Sequence, residues 1–341
     1  MTERLMTLCQ LSGVSSREDA VRDYIRREAE PYADTIREDV LGNLIVFKKG
    51  ERSTGEKLML AAHMDEVGLM IRSVTDEGYL KFYTVGGIDR RVLIGKKVLV
   101  GDAAIPGIIG LKAYHLVGKE EEKRVPKLSE YYIDIGEESA DEVKALVRPG
   151  DVAVFDSSPT LFGEGLLMGK ALDDRIGCGV LLELLARPLP MDCTFVFTVQ
   201  EEVGTRGAFG ASFSIQPEIA LVVEGTTAAD LPWLESHQQV CSPGKGPVLP
   251  FMDGGTVYDR GLFELLRQLA EQSGIPWQTK HFIAGGTDAS AIHTTGAGVR
   301  VAGISAAVRY LHTPNSVASL QDYENMVKLT FEFMVAIATS C

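Results

Sequence analysis

The chain has 341 residues, 45% of them hydrophobic and 24% charged, which excludes a disordered polypeptide and supplies one large core or two modest ones. With 34 Lys and Arg against 47 Asp and Glu the formal net charge is −13, the wrong sign for a protein that binds by neutralising nucleic-acid phosphates. Cys9, Cys178, Cys193, Cys241 and Cys341 are odd in number, scattered and never in a C-x-x-C pair, so neither a disulfide framework nor a thiolate zinc site is expected and a reducing cytoplasm fits.

Residues 1–10 carry Glu3 and Arg4 without an apolar stretch or small-residue cleavage site, so no signal peptide is expected. The longest apolar runs, 58–62 and 180–186, fall far short of the roughly 18 residues a bilayer requires, and no membrane association is expected. Ser15 reads as a helix N-cap with Glu18 three residues on, and Val21, Tyr24 and Ile25 then recur at helical spacing, predicting about four turns. At 58–62 the period changes to a continuous apolar strand of the kind buried on both faces, running into His63.

Between 72 and 162 short apolar runs at 80–83, 97–100, 105–111 and 131–135 alternate with Gly and Pro turns. This texture predicts an inserted all-β domain of small barrel or sandwich type, with the charge run at 119–124 as a solvated loop. After Gly169 an α/β pattern returns. Ile176, Val180, Leu181, Leu184 and Leu185 mark a helix, 193–199 and 220–223 strands, and Leu262, Leu265, Leu266 and Leu269 a helix closed by Gly274 and Pro276. Residues 299–304 read as a further strand and 323–338 as a final helix. The expected architecture is an α/β domain formed by 1–71 and 163–341, interrupted by the β domain at 72–162.

The chemistry lies where apolar strands end. One ends at His63 in Ala-His-Met-Asp-Glu-Val-Gly, one at Glu201 and Glu202 in Val-Gln-Glu-Glu-Val-Gly, and one at Glu224 in Val-Val-Glu-Gly-Thr-Thr. Asp173 and Asp174 precede the helix that begins near Arg175, and His312 follows the last strand. In open α/β sheets the crevice beyond the carboxyl ends of the strands is the ligand site, so these groups are expected to converge there. Two histidines among several carboxylates suit zinc, cobalt or manganese better than a thiophilic metal, and two ions about 3.5–4 Å apart explain more acids than one ion uses. Asp65 is placed to accept the second ring N–H of His63 and fix its tautomer. If Glu201 and Glu202 stay extended their side chains diverge, one toward metal and the other toward the substrate water. The turn Gly285-Gly286-Thr287-Asp288 is a candidate wall of the substrate pocket. His115, in the insertion, reads as structural or interfacial, and His237, His281 and His293 have no ligand-like context.

These segments in order (His-x-Asp-x-x-Gly at 63–68, Lys-Ala-x-Asp-Asp-Arg-x-Gly at 170–177, Glu-Glu-Val-Gly-x-Arg-Gly-Ala at 201–208, Gly-Gly-Thr-Asp-Ala at 285–289, Arg-Tyr-x-His-x-Pro at 309–314) resemble the dinuclear metallo-aminopeptidases of the glutamyl aminopeptidase and tetrahedral (TET) aminopeptidase type. Ile-Pro-Gly-x-Ile-Gly at 105–110 extends the resemblance into the insertion. The resemblance implies two divalent ions, zinc or cobalt: His63, Asp173 and Glu224 on one, Asp173, Glu202 and His312 on the other, with Asp173 bridging and Glu201 as general base. It also implies peptide substrates cut from a free amino-terminus, and self-association as dimers up to tetrahedral dodecamers. Glu224 departs from the aspartate usual at that place, which lengthens the reach of one ligand. Relatives also carry cellulase labels, so an endoglucanase is the rival enzyme and a non-catalytic assembly protein the other alternative. A glycosidase needs two carboxyls about 5–9.5 Å apart and neither histidine nor metal, so His63 and His312 argue against it.

Overall fold

The apolar run at 58–62 forms an interior strand, Leu58–His63, of a six-stranded sheet in the computed structural model, which describes residues 1–53, 55 and 57–340. Cys341 lies outside the described residues. Every residue of this strand is buried, and its side chains divide by alternation. Leu58, Leu60 and Ala62 enter the larger core with the helices Leu172–Leu185 and Leu320–Ser340, while Met59 and Ala61 pack toward Arg206–Ile215 and Ala289–Ile292 on the opposite face.

Cys193–Thr198 and Ile219–Thr227 flank this strand in parallel, and Arg300–Val308 extends the parallel set. Thr35–Glu38 and Leu44–Lys48 add an antiparallel edge, making the sheet mixed. Leu172–Leu185 approaches the sheet closely because of Gly177, where an added Cβ would lie 2.1 Å from the Val223 carbonyl oxygen.

The β texture of the middle of the chain closes into a barrel. Its strands are Gly68–Val74, Leu80–Val85, Lys97–Val100, Ile105–Gly110, Tyr132–Asp134 and Val152–Phe155, and the first pairs with both the second and the last. Leu69, Ile71, Phe82, Val98, Ile133 and Phe155 fill its interior as a core separate from that of the large sheet. Thr160–Phe162 and Leu166–Gly169 then join Ser316–Ser319 in a three-stranded sheet. The fold is thus the expected α/β layering on a mixed sheet with a small all-β barrel. Among the described residues no helix is long and apolar enough to cross a membrane.

Several local expectations are corrected. The helix read from Ser15 spans only Asp19–Ala29, with Glu18 at its N-cap, because the Ser15 hydroxyl is engaged by Asp65. The run at 119–124 is not a loop but contains a short exposed helix, Lys119–Glu122, with Lys123 paired to Glu120. Thr35–Glu38 and Leu44–Lys48 were not anticipated, nor was Ala140–Leu146, a helix within the β region capped by the Ser139 hydroxyl.

Candidate metal centre

The parallel strands deliver His63, Glu224 and the Glu201–Glu202 turn to one end of the sheet, where they line a cavity of about 330 Å³ together with Asp173 and His312. His63 closes its strand, almost fully buried. Its Nδ1 lies 3.1 Å from the Asp65 main-chain carbonyl and 3.4 Å from Asp65 Oδ1. The nearer acceptor is the carbonyl, with the expected Asp65 carboxylate slightly farther off. With the proton drawn to Nδ1, the Nε2 lone pair is left facing Asp173 Oδ1 at 3.4 Å.

The Asp65 carboxylate does different work. It accepts from the Glu201 and Glu202 amides at 2.9 and 3.1 Å and from the Ser15 hydroxyl at 2.6 Å, tying two distant segments to one completely buried group. Glu201 and Glu202 are not extended. Gln200 takes a left-handed φ of 57°, and the Glu201 carbonyl accepts from the Gly204 and Thr205 amides, so a turn sets the two side chains apart, not strand alternation.

Asp173 and Asp174 keep non-helical backbone angles at the head of Leu172–Leu185, and the peptide between them is cis. Asp174 accepts from the His63 and Gly177 amides and so caps the helix and steadies the strand end. Asp173 stands between the two imidazoles: Oδ1 is 3.4 Å from His63 Nε2 and Oδ2 3.6 Å from His312 Nε2. His312 Nε2 is also 3.2 Å from Glu202 Oε1, and its Nδ1 meets the Gly87 carbonyl at 2.7 Å.

Glu224 adds a carboxylate from the next strand, its Oε1 accepting from the Asp288 amide at 3.1 Å. The Asp288 side chain accepts from the Thr198 hydroxyl, so the Gly-Gly-Thr-Asp turn both lines the cavity and positions Glu224. Thr287 is steadied by the Tyr258 hydroxyl at 3.1 Å, and Tyr258 in turn bonds Asp253 at 2.7 Å.

Electrostatics report a surplus of negative charge. Burial disfavours ionisation of Asp173, but His312 and His63 outweigh it and hold its carboxyl well below the usual range. Burial works to lower His312, yet Asp173 and Glu202 push it up to about 11; His63, buried likewise, is held well above its ordinary value by Asp173 and Asp65. Glu201 is raised to about 9 by burial and by the carboxylates of Asp288, Glu202 and Asp173. Glu224 is raised by burial and Glu201, and Asp288 to about 6, mainly by burial.

A divalent cation fits this donor set. His63, Asp173 and Glu202 present ligand atoms that all lie within 4.8 Å of one another. Asp173 Oδ1 and Glu202 Oε1 are buried without hydrogen bonds although each faces an imidazole nitrogen, a costly arrangement unless positive charge sits among them. Mixed imidazole and carboxylate donors are those of zinc, cobalt or manganese.

Sequence reasoning missed Ser15, Gly87 and Lys280. Lys280 is 5% exposed, lines the same cavity and donates to the Ala284 carbonyl at 3.2 Å. His115 and His293 are not brought to the site: His115 lies on the short turn Tyr114–Leu116 of the β region, and His293 bonds the Ala289 carbonyl at 2.8 Å.

Residues 42–329 match the M42 glutamyl aminopeptidase family. A putative aminopeptidase of Acetivibrio thermocellus is 40% identical over 334 residues, covering 97% of this chain and 98% of its own. Among solved structures, the TET1 peptidase of Pyrococcus horikoshii, described as able to assemble into a tetrahedron or a large octahedral shell, superposes with a TM-score of 0.87 at 35% identity, over 98% of each chain. A structure described as an endoglucanase from Thermotoga maritima superposes with a TM-score of 0.81 at 37% identity, over 98% of this chain and 99% of its own. The chain belongs to the M42 glutamyl aminopeptidase family.

Proposed function

We propose that the chain is a two-metal aminopeptidase in which His63, Asp173 and Glu224 would hold one divalent ion, zinc or cobalt, and Asp173, Glu202 and His312 the other. The observation that carries this reading is the place of Asp173, with one carboxylate oxygen toward each imidazole Nε2, at 3.4 and 3.6 Å. Bound ions of this kind polarise a substrate carbonyl and let water act as a nucleophile near neutral pH.

The proton traffic belongs to Glu201. Its carboxylate, in the wall of the cavity, takes a proton from water as the oxygen adds to the peptide carbonyl carbon. It returns that proton to the amine nitrogen as the C–N bond breaks, so each turnover consumes one water and restores the carboxylate. Asp65 holds the amides of both Glu201 and Glu202, fixing base and ligand relative to each other. The Asp288 amide anchors the longer arm of Glu224. Surplus carboxylate in the cavity suits the ammonium of a free peptide amino-terminus.

In this reading 1–71 and 163–341 form the catalytic unit, with 72–162 inserted for self-association and access. Like the Pyrococcus horikoshii relative, the chain self-associates, as dimers up to a tetrahedral dodecamer. Phe209 and Phe213, 56% and 61% exposed on one helix beside the exposed Leu41, are suited to be covered by a second copy. The four described cysteines are buried and unpaired, in keeping with a reducing cytoplasm. The endoglucanase label does not transfer, since the acids here are interleaved with His63 and His312 rather than left as a facing pair.

The test is a matched pair of peptides. The free-amine peptide should lose its first residue and the N-acetylated one should resist, with cleavage abolished by a chelator and restored by zinc or cobalt. Equal cutting of both, or chelator-insensitive release of reducing sugar from soluble cellulose, would overturn the reading.

A further inference from the structure

The barrel reaches the candidate metal centre at the turn that follows Leu80–Val85, while Phe155 of its last strand lies beside Asp173, Glu202 and His312. Leu80–Val85 runs into Gly86 and Gly87, and the Gly87 carbonyl lies 2.7 Å from Nδ1 of His312, 225 positions further along the chain. A carbonyl oxygen only accepts, so the proton of a neutral His312 ring resides on Nδ1 and its lone pair is left on Nε2, the side facing Glu202 and Asp173. Gly86 makes this approach sterically feasible. Its φ is +77°, and a Cβ there would stand 2.7 Å from Val67 Cγ1 and 3.3 Å from Glu202 Cβ. A Cβ at position 86 would therefore push the turn off Val67 and Glu202, and the adjoining Gly87 carbonyl would move with it. His63 is supported differently, because its Nδ1 partner is the carbonyl of Asp65, two residues along the same segment.

We infer that Gly87 is a positioning residue whose main-chain carbonyl, supplied by the barrel, orients His312, so that one half of the metal centre depends on how the barrel is seated and the His63 half does not. The inference rests on the two-ion reading above. It gives the inserted domain a part in building the site, in addition to any part in assembly: lifting the turn frees the His312 ring to rotate or to take the other tautomer, and the ion held by Asp173, Glu202 and His312 weakens first. Partners that orient a ligating histidine through its second nitrogen typically carry about 10–100-fold in metal affinity.

The experiment is calorimetric titration of chelator-stripped protein with zinc, comparing the wild type with Gly86→Ala and Gly95→Ala. Gly95 is a fair control because it lies in the same barrel at φ +72° with no atom within 4 Å of an added Cβ, so its substitution carries the backbone cost alone. Wild type and Gly95→Ala should bind two ions, whereas Gly86→Ala should keep one step and weaken the other about 10–100-fold. Adding Val67→Ala to Gly86→Ala removes the nearest clash and should restore part of the lost step. Unchanged binding by Gly86→Ala, equal weakening of both steps, or the same loss in Gly95→Ala would overturn the inference. Fewer than two ions on the wild type would overturn the two-ion reading itself. Should Gly86→Ala fail to fold, nitrogen-15 spectra of the zinc-loaded wild type decide: His312 should be protonated at Nδ1, and protonation at Nε2 would refute the proposal.

Discussion

Replacing Glu201 by glutamine removes the proposed base while leaving almost everything else in place. The Asp65 contact to residue 201 is made through the main-chain amide, so the turn survives the substitution. The amide is nearly isosteric with the carboxylate, and one negative charge leaves a cluster in which Glu224 is already raised by burial and by Glu201 itself. Metal affinity should therefore persist. Turnover should fall about 10²–10⁴-fold, the usual cost of a missing general base, equivalent to about 2.7–5.4 kcal/mol of transition-state stabilisation at about 1.36 kcal/mol per decade. The contrast is His312→Ala, which removes a nitrogen lying 3.2 Å from Glu202 and should lose metal together with activity. The assay pairs kcat on a free-amine tripeptide with elemental analysis of the same samples. Near-normal turnover of Glu201→Gln with both ions bound would refute the assignment of the base.

Three further outcomes follow from other parts of the structure. If the buried Lys280 side chain in the cavity wall meets an acidic first residue, Lys280→Met should lower kcat/KM for glutamyl relative to leucyl substrates by about tenfold or more, a charged hydrogen bond being worth about 1.5–3 kcal/mol; an unchanged ratio would remove Lys280 from substrate selection. Stripped of metal, the protein should lose stability as pH rises from 7 to 10. His312, raised to about 11, and Glu201, raised to about 9, both bind more protons folded than unfolded in that window, so their contribution fades toward those values; a melting temperature independent of pH would contradict these shifts. Gly177→Ala would gain about 1 kcal/mol of helix propensity, yet its Cβ would press on the Val223 carbonyl oxygen and cost more than that, so the variant should melt lower than wild type; a higher melting temperature would show that the helix shifts freely.

The sequence made legible those features that depend on local pattern. The unbroken apolar run at 58–62 announced a strand covered on both faces, and the acids and histidines at strand ends announced the crevice, because strand direction fixes which end a terminal residue occupies. What stayed hidden depends on contacts distant in sequence. Ser15 looks like a helix cap, and nothing local distinguishes a hydroxyl that caps from one that bonds Asp65 fifty residues on. Gly87 contributes only a carbonyl, a group every residue has. Thr35–Glu38 is four residues long and mostly exposed at the sheet edge, with no alternation to betray it. Lys280 lies in no motif, and its burial is created by loops that converge only in the folded chain.

Anomalous diffraction from crystals grown with zinc, recorded on both sides of the zinc edge, tests the central claim most directly. The account predicts two peaks per chain, one on either side of the Asp173 carboxylate, one next to His63 and the other next to His312. A single peak bound by one imidazole alone, or none near Asp173, would contradict it.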